Sequence, residues 1–226
     1  MALDYVAKTL HPIRVAVWGE EAMGFLGVPT ILNSYMLVPS EADFDSAVKK
    51  LTDANFLLAP WSYGSIDPEV LAKRSEITQR VHRKAIPQYQ MLDAHSARFH
   101  LPTSNFHPEK VVLLRSSYVE MRPPTDTLSL QQFTCHENLY YPDKLILLES
   151  FIKALLKDSM NIWRSLLGCW AISYVYCTLM VDDDVLDSCE DAKVREWFNE
   201  AIKRGKGGLD RTTCTKRAIR GPSSAS

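Results

Sequence analysis

Residues Ile13 to Trp18 (IRVAVW) leave the chain the least freedom. A short run of apolar and β-branched side chains, closed at once by Gly19, fits a buried strand and is too short for a helix. Glu20 to Phe25 can wind a short helix before Gly27, and Pro29 then forces Val28 into an extended conformation. A second strand is expected over Ile31 to Val38. Pro39-Ser40 follows, with Ser40 placed to cap a third element whose acidic start is Glu41 and Asp43. Phe44, Ala47, Val48 and Leu51 fall on one face of that helix, which should stop near Asn55. Phe56 to Ala59 reads as a third strand. The order strand, helix, strand, helix, strand predicts an α/β (α+β) fold with a mixed sheet.

From Tyr63 to Thr127 the pattern weakens. Prolines punctuate it, a basic segment runs from Arg74 to Lys84, and Val111 to Leu114 is its clearest strand. Beyond Tyr141 helices are expected over Pro142 to Lys157, Asn161 to Met180 and Asp191 to Arg204. The division that follows is an α/β core over residues 1–125 and a helical C-terminal region over 126–226, ending in a basic, Gly- and Ser-rich tail.

Charge excludes a globally basic nucleic-acid binder: 26 basic and 27 acidic residues leave a formal net charge of −1. Five cysteines without a C-x-x-C pair do not make a disulfide framework, and MALDYVAKTLHPIR lacks the pattern of a secretory signal. The apolar stretch Ser165 to Val181 is broken by Gly168, Ser173 and Thr178, so it reads as a buried helix rather than a membrane span. A cytoplasmic protein with no membrane association is expected.

The order "apolar strand, G-x-x-A-x-x-x-x-G-V-P, strand, L-V-P, helix" over about residues 12 to 60 resembles the nucleotidyltransferase (polymerase β-like) superfamily, in its antitoxin-like and kanamycin-type branches. The C-terminal stretches YYPDKLILLESFIKALL and DAKVREWF are similar to a fungal family with the same front end. The resemblance implies a nucleotidyltransferase-like core. In active members the first helix opens on Gly-Gly or Gly-Ser, which holds a triphosphate, and the next strand carries two aspartates two residues apart. Such a pair shares one face of a strand and clamps magnesium.

Here Gly19 keeps the first glycine, but Glu20 follows it, a negative side chain where phosphates approach. Asn33 and Tyr35 occupy the aspartate positions, and neither a neutral amide nor a phenol replaces a carboxylate ligand. The resemblance thus implies a degenerate active site that uses its cleft for ligand binding or interaction. The alternative is a metal-independent transferase or condensing enzyme of fungal specialised metabolism, acting on a nucleotide-activated or tRNA-borne substrate. In that frame Glu20, Glu21 and Tyr35 are the catalytic candidates, and Trp18, Gly19 and Asn33 the ligand-binding ones. No metal and no cofactor are expected, a small-molecule or nucleotide-like ligand is, and RNA has weak support.

Other motifs read more plainly. Asp183, Asp184 and Asp187 form D-D-x-x-D, a magnesium-diphosphate pattern elsewhere, but here they read as a solvated turn leading into an acidic helix start. His95, His100 and His107 lack zinc spacing, Cys135-His136-Glu137 are sequence neighbours that rarely converge, and Trp163, Trp170, Tyr174 and Tyr176 are spaced for core packing.

Overall fold

The computed structural model describes residues 2–102 and 110–203, together with the short strands Leu209–Asp210 and Thr215–Lys216. His107, Cys214 and most of the basic tail lie outside the described residues. The chain folds as a mixed α/β protein on a seven-stranded sheet.

Helix α1 (Ala2–Leu10) comes first and was not expected; Leu3, Val6, Ala7 and Leu10 recur at helical spacing and are all buried. Strand β1 (Val15–Trp18) leads directly into α2 (Gly19–Phe25), and β2 (Tyr35–Pro39) runs antiparallel to β1, with Val17 opposite Leu37. After α3 (Phe44–Asp53) comes β3 (Leu57–Leu58), then α4 (Pro68–Ala72), α5 (Glu76–Ala85), a 3-10 turn over Ile86–Tyr89 and α6 (Gln90–Ala94). Strands β4 (Ser96–His100) and β5 (Lys110–Leu114) follow, then α7 (Ser116–Val119) and α8 (Thr127–Leu130). The sheet is completed by a hairpin, β6 (Phe133–His136) and β7 (Leu139–Pro142). Last come α9 (Lys144–Lys157), α10 (Ile162–Cys169) and α11 (Ala192–Phe198).

The strand order is β3-β4-β5-β2-β1-β7-β6. β5 runs parallel to β2, and β7 parallel to β1, while the outer pairings are antiparallel. β1, β2 and β7 are buried along their whole length, as central strands covered on both faces must be.

The sheet and its core run across residue 125. β7 pairs with β1, and Trp18 at the end of β1 sits among Phe151 of α9, Trp163 of α10 and Trp170, with ring centroids 5.0, 6.3 and 5.9 Å away. All four rings are buried. Edge-to-face and tilted arrangements of this kind add about 0.5–1.5 kcal/mol per pair beyond area burial. The Trp18 indole N–H donates to Ser150 Oγ at 2.9 Å, and that hydroxyl donates to the Val119 carbonyl at 2.6 Å.

Several expected boundaries are corrected. β2 begins at Tyr35 rather than Ile31: Ile31 is 77% exposed, and the Asn33 N–H that a strand would pair is taken by Glu20. Ser40 does not cap α3; it bonds Asp43 across a turn, and α3 starts at Phe44. Phe56 to Ala59 yields only the two-residue edge strand β3, with Leu57 and Leu58 exposed. Pro142 belongs to β7, and α9 starts at Lys144 because Asp143 accepts from Leu145 and Ile146. The stretch expected as one helix from Asn161 to Met180 changes winding, from α-helix to π-helix at Trp170–Thr178, and a second π-helical turn, Asn199–Lys203, follows α11.

Candidate functional site

The candidate site is built where β1 gives way to α2. Gly19 stands at that corner with φ +66°, and a Cβ on it would lie 2.9 Å from Met36 Sδ. Both facts favour glycine here, because a left-handed backbone strains other residues and a Cβ would press on the Met36 side chain. Trp18, just before it, is wholly buried among aromatic rings. Trp18 is therefore packed into the core in this fold.

Glu20 is 6% exposed, and both of its oxygens are engaged. Oε2 accepts the Asn33 backbone N–H and Oε1 accepts Asn33 Nδ2, each at 2.6 Å. The carboxylate thus clasps the loop between α2 and β2. Beside it lie Ser34, fully buried, and Tyr63, whose hydroxyls are 3.3 Å apart. Burial pushes the Tyr63 phenol far above the ordinary tyrosine value, and the negative Glu20 adds to the shift, while the Ser34 hydrogen bond opposes it. The Tyr63 N–H donates to Asp93 at 2.8 Å, and its ring packs against Tyr89 and Trp163.

A second group forms around Glu21. Desolvation raises its pKa, and an interaction with the Tyr141 hydroxyl lowers it. Tyr141 and Tyr35 are both pushed up, first by desolvation and then by the Glu21 charge. Phe25 stacks on the Tyr141 ring at 4.1 Å, closing one side.

The structure therefore brings Glu20 to Asn33 and groups Glu21 with Tyr35, but Asn33 and Tyr35 do not form a same-face pair on a strand. Asn33 is exposed and precedes β2, whereas Tyr35 is its buried first residue. Ser34, Tyr63 and Tyr141 were missed by the sequence reading. Tyr141 carried a faint signal in the apolar run LYYP, and Tyr63 carried none.

The remaining motifs are accounted for locally. His95 stacks flat on Tyr118 at 5.2 Å, and His100 packs against Trp61. The Tyr176 hydroxyl donates to Asp183. Among the described residues no group of three or more His, Cys, Asp and Glu side chains gathers closely enough to hold a metal ion, the aspartates at 183, 184 and 187 included. The Cys135 thiol donates to the Glu137 carbonyl, while His136 packs on Phe25 and Tyr141. Trp163, Trp170 and Tyr176 are buried, and Tyr174 packs against the same core. Most of the basic segment Arg74 to Lys84 lies in α5, which buries none of its residues. No helix among the described residues is long and apolar enough to cross a membrane.

Comparison with known proteins gives no match: no family model, no curated protein and no solved structure matches this chain.

Proposed function

We propose that this chain is a catalytically degenerate protein of nucleotidyltransferase-like fold that acts by binding a ligand or partner. The order β1, α2, β2, with β2 antiparallel to β1 and parallel to β5, supports the fold assignment, as does the glycine at the head of α2. The observation that carries the functional reading is the Glu20–Asn33 clasp. A carboxylate of the chain itself occupies the corner where an incoming phosphate would need donors, and it has already taken those that Asn33 offers. A phosphate there meets like charge, and an amide and a phenol give magnesium no carboxylate clamp.

Titration calorimetry with ATP and CTP, in magnesium and again in EDTA, tests this. The expected result is no magnesium-dependent binding. Magnesium-dependent nucleotide transfer that is lost on substitution of Asn33 or Tyr35 would overturn the reading.

One observation favours the alternative, a metal-independent transferase. Glu21 is held with raised proton affinity beside two phenols, a profile suited to general acid and base work. That alternative fails if Glu20→Gln, Glu21→Gln and Tyr35→Phe all leave product formation unchanged on a nucleotide-activated substrate that the wild-type protein turns over.

A further inference from the structure

A broad cleft opens at the end of β1 opposite to Gly19. It has a volume of about 620 Å³ and is lined by Lys8, His11, Pro12 and Arg14, which precede β1, and by Glu137, Asn138 and Tyr140 at the start of β7. The pairing of Val15 with Leu139 in the parallel β1–β7 ladder sets these two segments side by side. That volume lies within the range of small-molecule sites, about 300–1,000 Å³. A second cleft of about 320 Å³ shares Pro12 and Arg14 and continues past Ser40, Asp43 and Pro124. Arg14 stands between the two, its guanidinium donating to the Pro124 carbonyl at 3.3 Å.

The rim carries more positive than negative charge. Lys8, His11, Arg14 and Glu137 are exposed, and Lys50 donates to the His11 carbonyl at 2.8 Å, which brings one more cation to the same corner. Asp4 lies one helical turn before Lys8 on α1, so the cleft is cationic without being a bare basic patch.

The floor of the cleft is a fixed part of the fold. Asn138 is 5% exposed, and its Nδ2 donates to the Ala7 and Ile13 carbonyls at 3.1 and 2.9 Å. Two carbonyl partners fix which end of the amide is nitrogen, so Oδ1 faces away from them. That buried Oδ1 accepts no hydrogen bond. The amide thus ties α1 and the residue before Arg14 to the start of β7 and fixes the floor of the cleft.

We propose that this cleft binds a small phosphomonoester. Lys8 and Arg14 take the dianionic phosphate, with the Arg fork receiving two of its oxygens. The organic body extends along the Arg14 wall. A dianion matches a paired lysine and arginine better than a single carboxylate does.

The test is a titration of the full chain, uniformly labelled with nitrogen-15, with AMP, adenosine and inorganic phosphate. AMP is expected to shift amide signals of residues 8–15 and 137–140 saturably, phosphate to shift the same signals more weakly, and adenosine to leave them in place. The exposed double substitution Lys8→Ala/Arg14→Ala should weaken AMP binding by at least about tenfold, whereas the equally exposed Arg80→Ala/Lys84→Ala pair on α5 should not change it. No saturable shift at millimolar AMP, shifts centred on residues 18–35 instead, or equal weakening in both double variants would overturn the proposal. Because the readout is positional, binding at the Glu20 corner is told apart from binding here.

Discussion

Glu20 holds Asn33 by two hydrogen bonds of 2.6 Å, one oxygen on the backbone N–H and the other on the side-chain amide. This single carboxylate sets where β2 begins and fills the corner at the head of α2. Replacing it with glutamine keeps the shape but leaves only one acceptor oxygen, so one of the two Asn33 donors faces an N–H₂ group. Glu20→Gln is expected to cost about 1–3 kcal/mol in urea unfolding and to speed hydrogen exchange at the Asn33 amide. Unchanged exchange there would show that the clasp does not hold the loop in solution.

A side chain at Gly19 should cost stability in two separable ways. Alanine at φ +66° costs about 1–2 kcal/mol from the left-handed backbone alone. The Cβ contact with Met36 Sδ at 2.9 Å adds a steric share. In Gly19→Ala combined with Met36→Ala the steric share should disappear while the backbone share stays. The double variant should therefore lose less stability than the two single effects added together, read as a coupling energy in a double-mutant cycle.

Ser150 relays between the end of β1 and the chain after β5, accepting from Trp18 and donating to Val119. Ser150→Ala leaves a buried donor and a buried acceptor unmet and is expected to cost about 1–3 kcal/mol. Ser150→Cys, with a weak donor and acceptor of similar size, should recover part of that loss. Equal stability of the alanine variant and wild type in denaturant melts would remove the relay from the account.

Desolvation holds Glu21 above its ordinary value of 4.5, against the pull of Tyr141. A carboxyl whose folded pKa exceeds its unfolded one takes up a proton on folding. Its contribution is fully present below the ordinary value and is lost as pH rises through the folded one. Glu21→Gln should therefore match wild type in acid and gain on it as the pH approaches neutrality, seen in melting temperatures across that window. Tyr35 obeys the same sign at higher pH. Its phenol is also raised, so stability falls as pH passes the ordinary 10 and climbs further, and Tyr35→Phe should flatten that part of the curve.

The sequence disclosed the strands that consist of apolar, β-branched residues, β1 and β5, because burial on both faces leaves no other composition. It concealed β4 (SARFH), whose Arg98 is held by carbonyls of Trp61 and Asp93 that only the fold supplies. The β6–β7 hairpin was equally hidden. Its turn lacks glycine and places Glu137 at φ +56°, a conformation that no sequence rule assigns to glutamate. At the candidate site, Gly19, Glu20 and Glu21 were legible from their place at a helix head. The clasp on Asn33 and the approach of Tyr141 were not, since each depends on side chains brought together from separate elements.

Asn33 lies before β2 and Tyr35 within it, so restoring carboxylates at both positions should not restore a metal clamp. In Asn33→Asp/Tyr35→Asp the first carboxylate sits on an exposed loop and faces Glu20, whose two acceptors repel it, while the second is placed where a largely buried phenol used to be. A carboxylate in such a place costs stability unless it is paired, and the strand alternation that would aim both groups at one ion is missing because position 33 is outside the strand. The double variant is therefore expected to melt below wild type and to show no magnesium-dependent rise in Tm. A clear rise would mean that the loop can extend β2 by two residues once the clasp is repelled, and that the corner is degenerate only in its side chains. Adding Glu20→Ser separates these outcomes. If the backbone excludes a metal site, magnesium still has no effect after the clasp is removed. If Glu20 alone blocks the site, the triple variant gains the magnesium response that the double variant lacks.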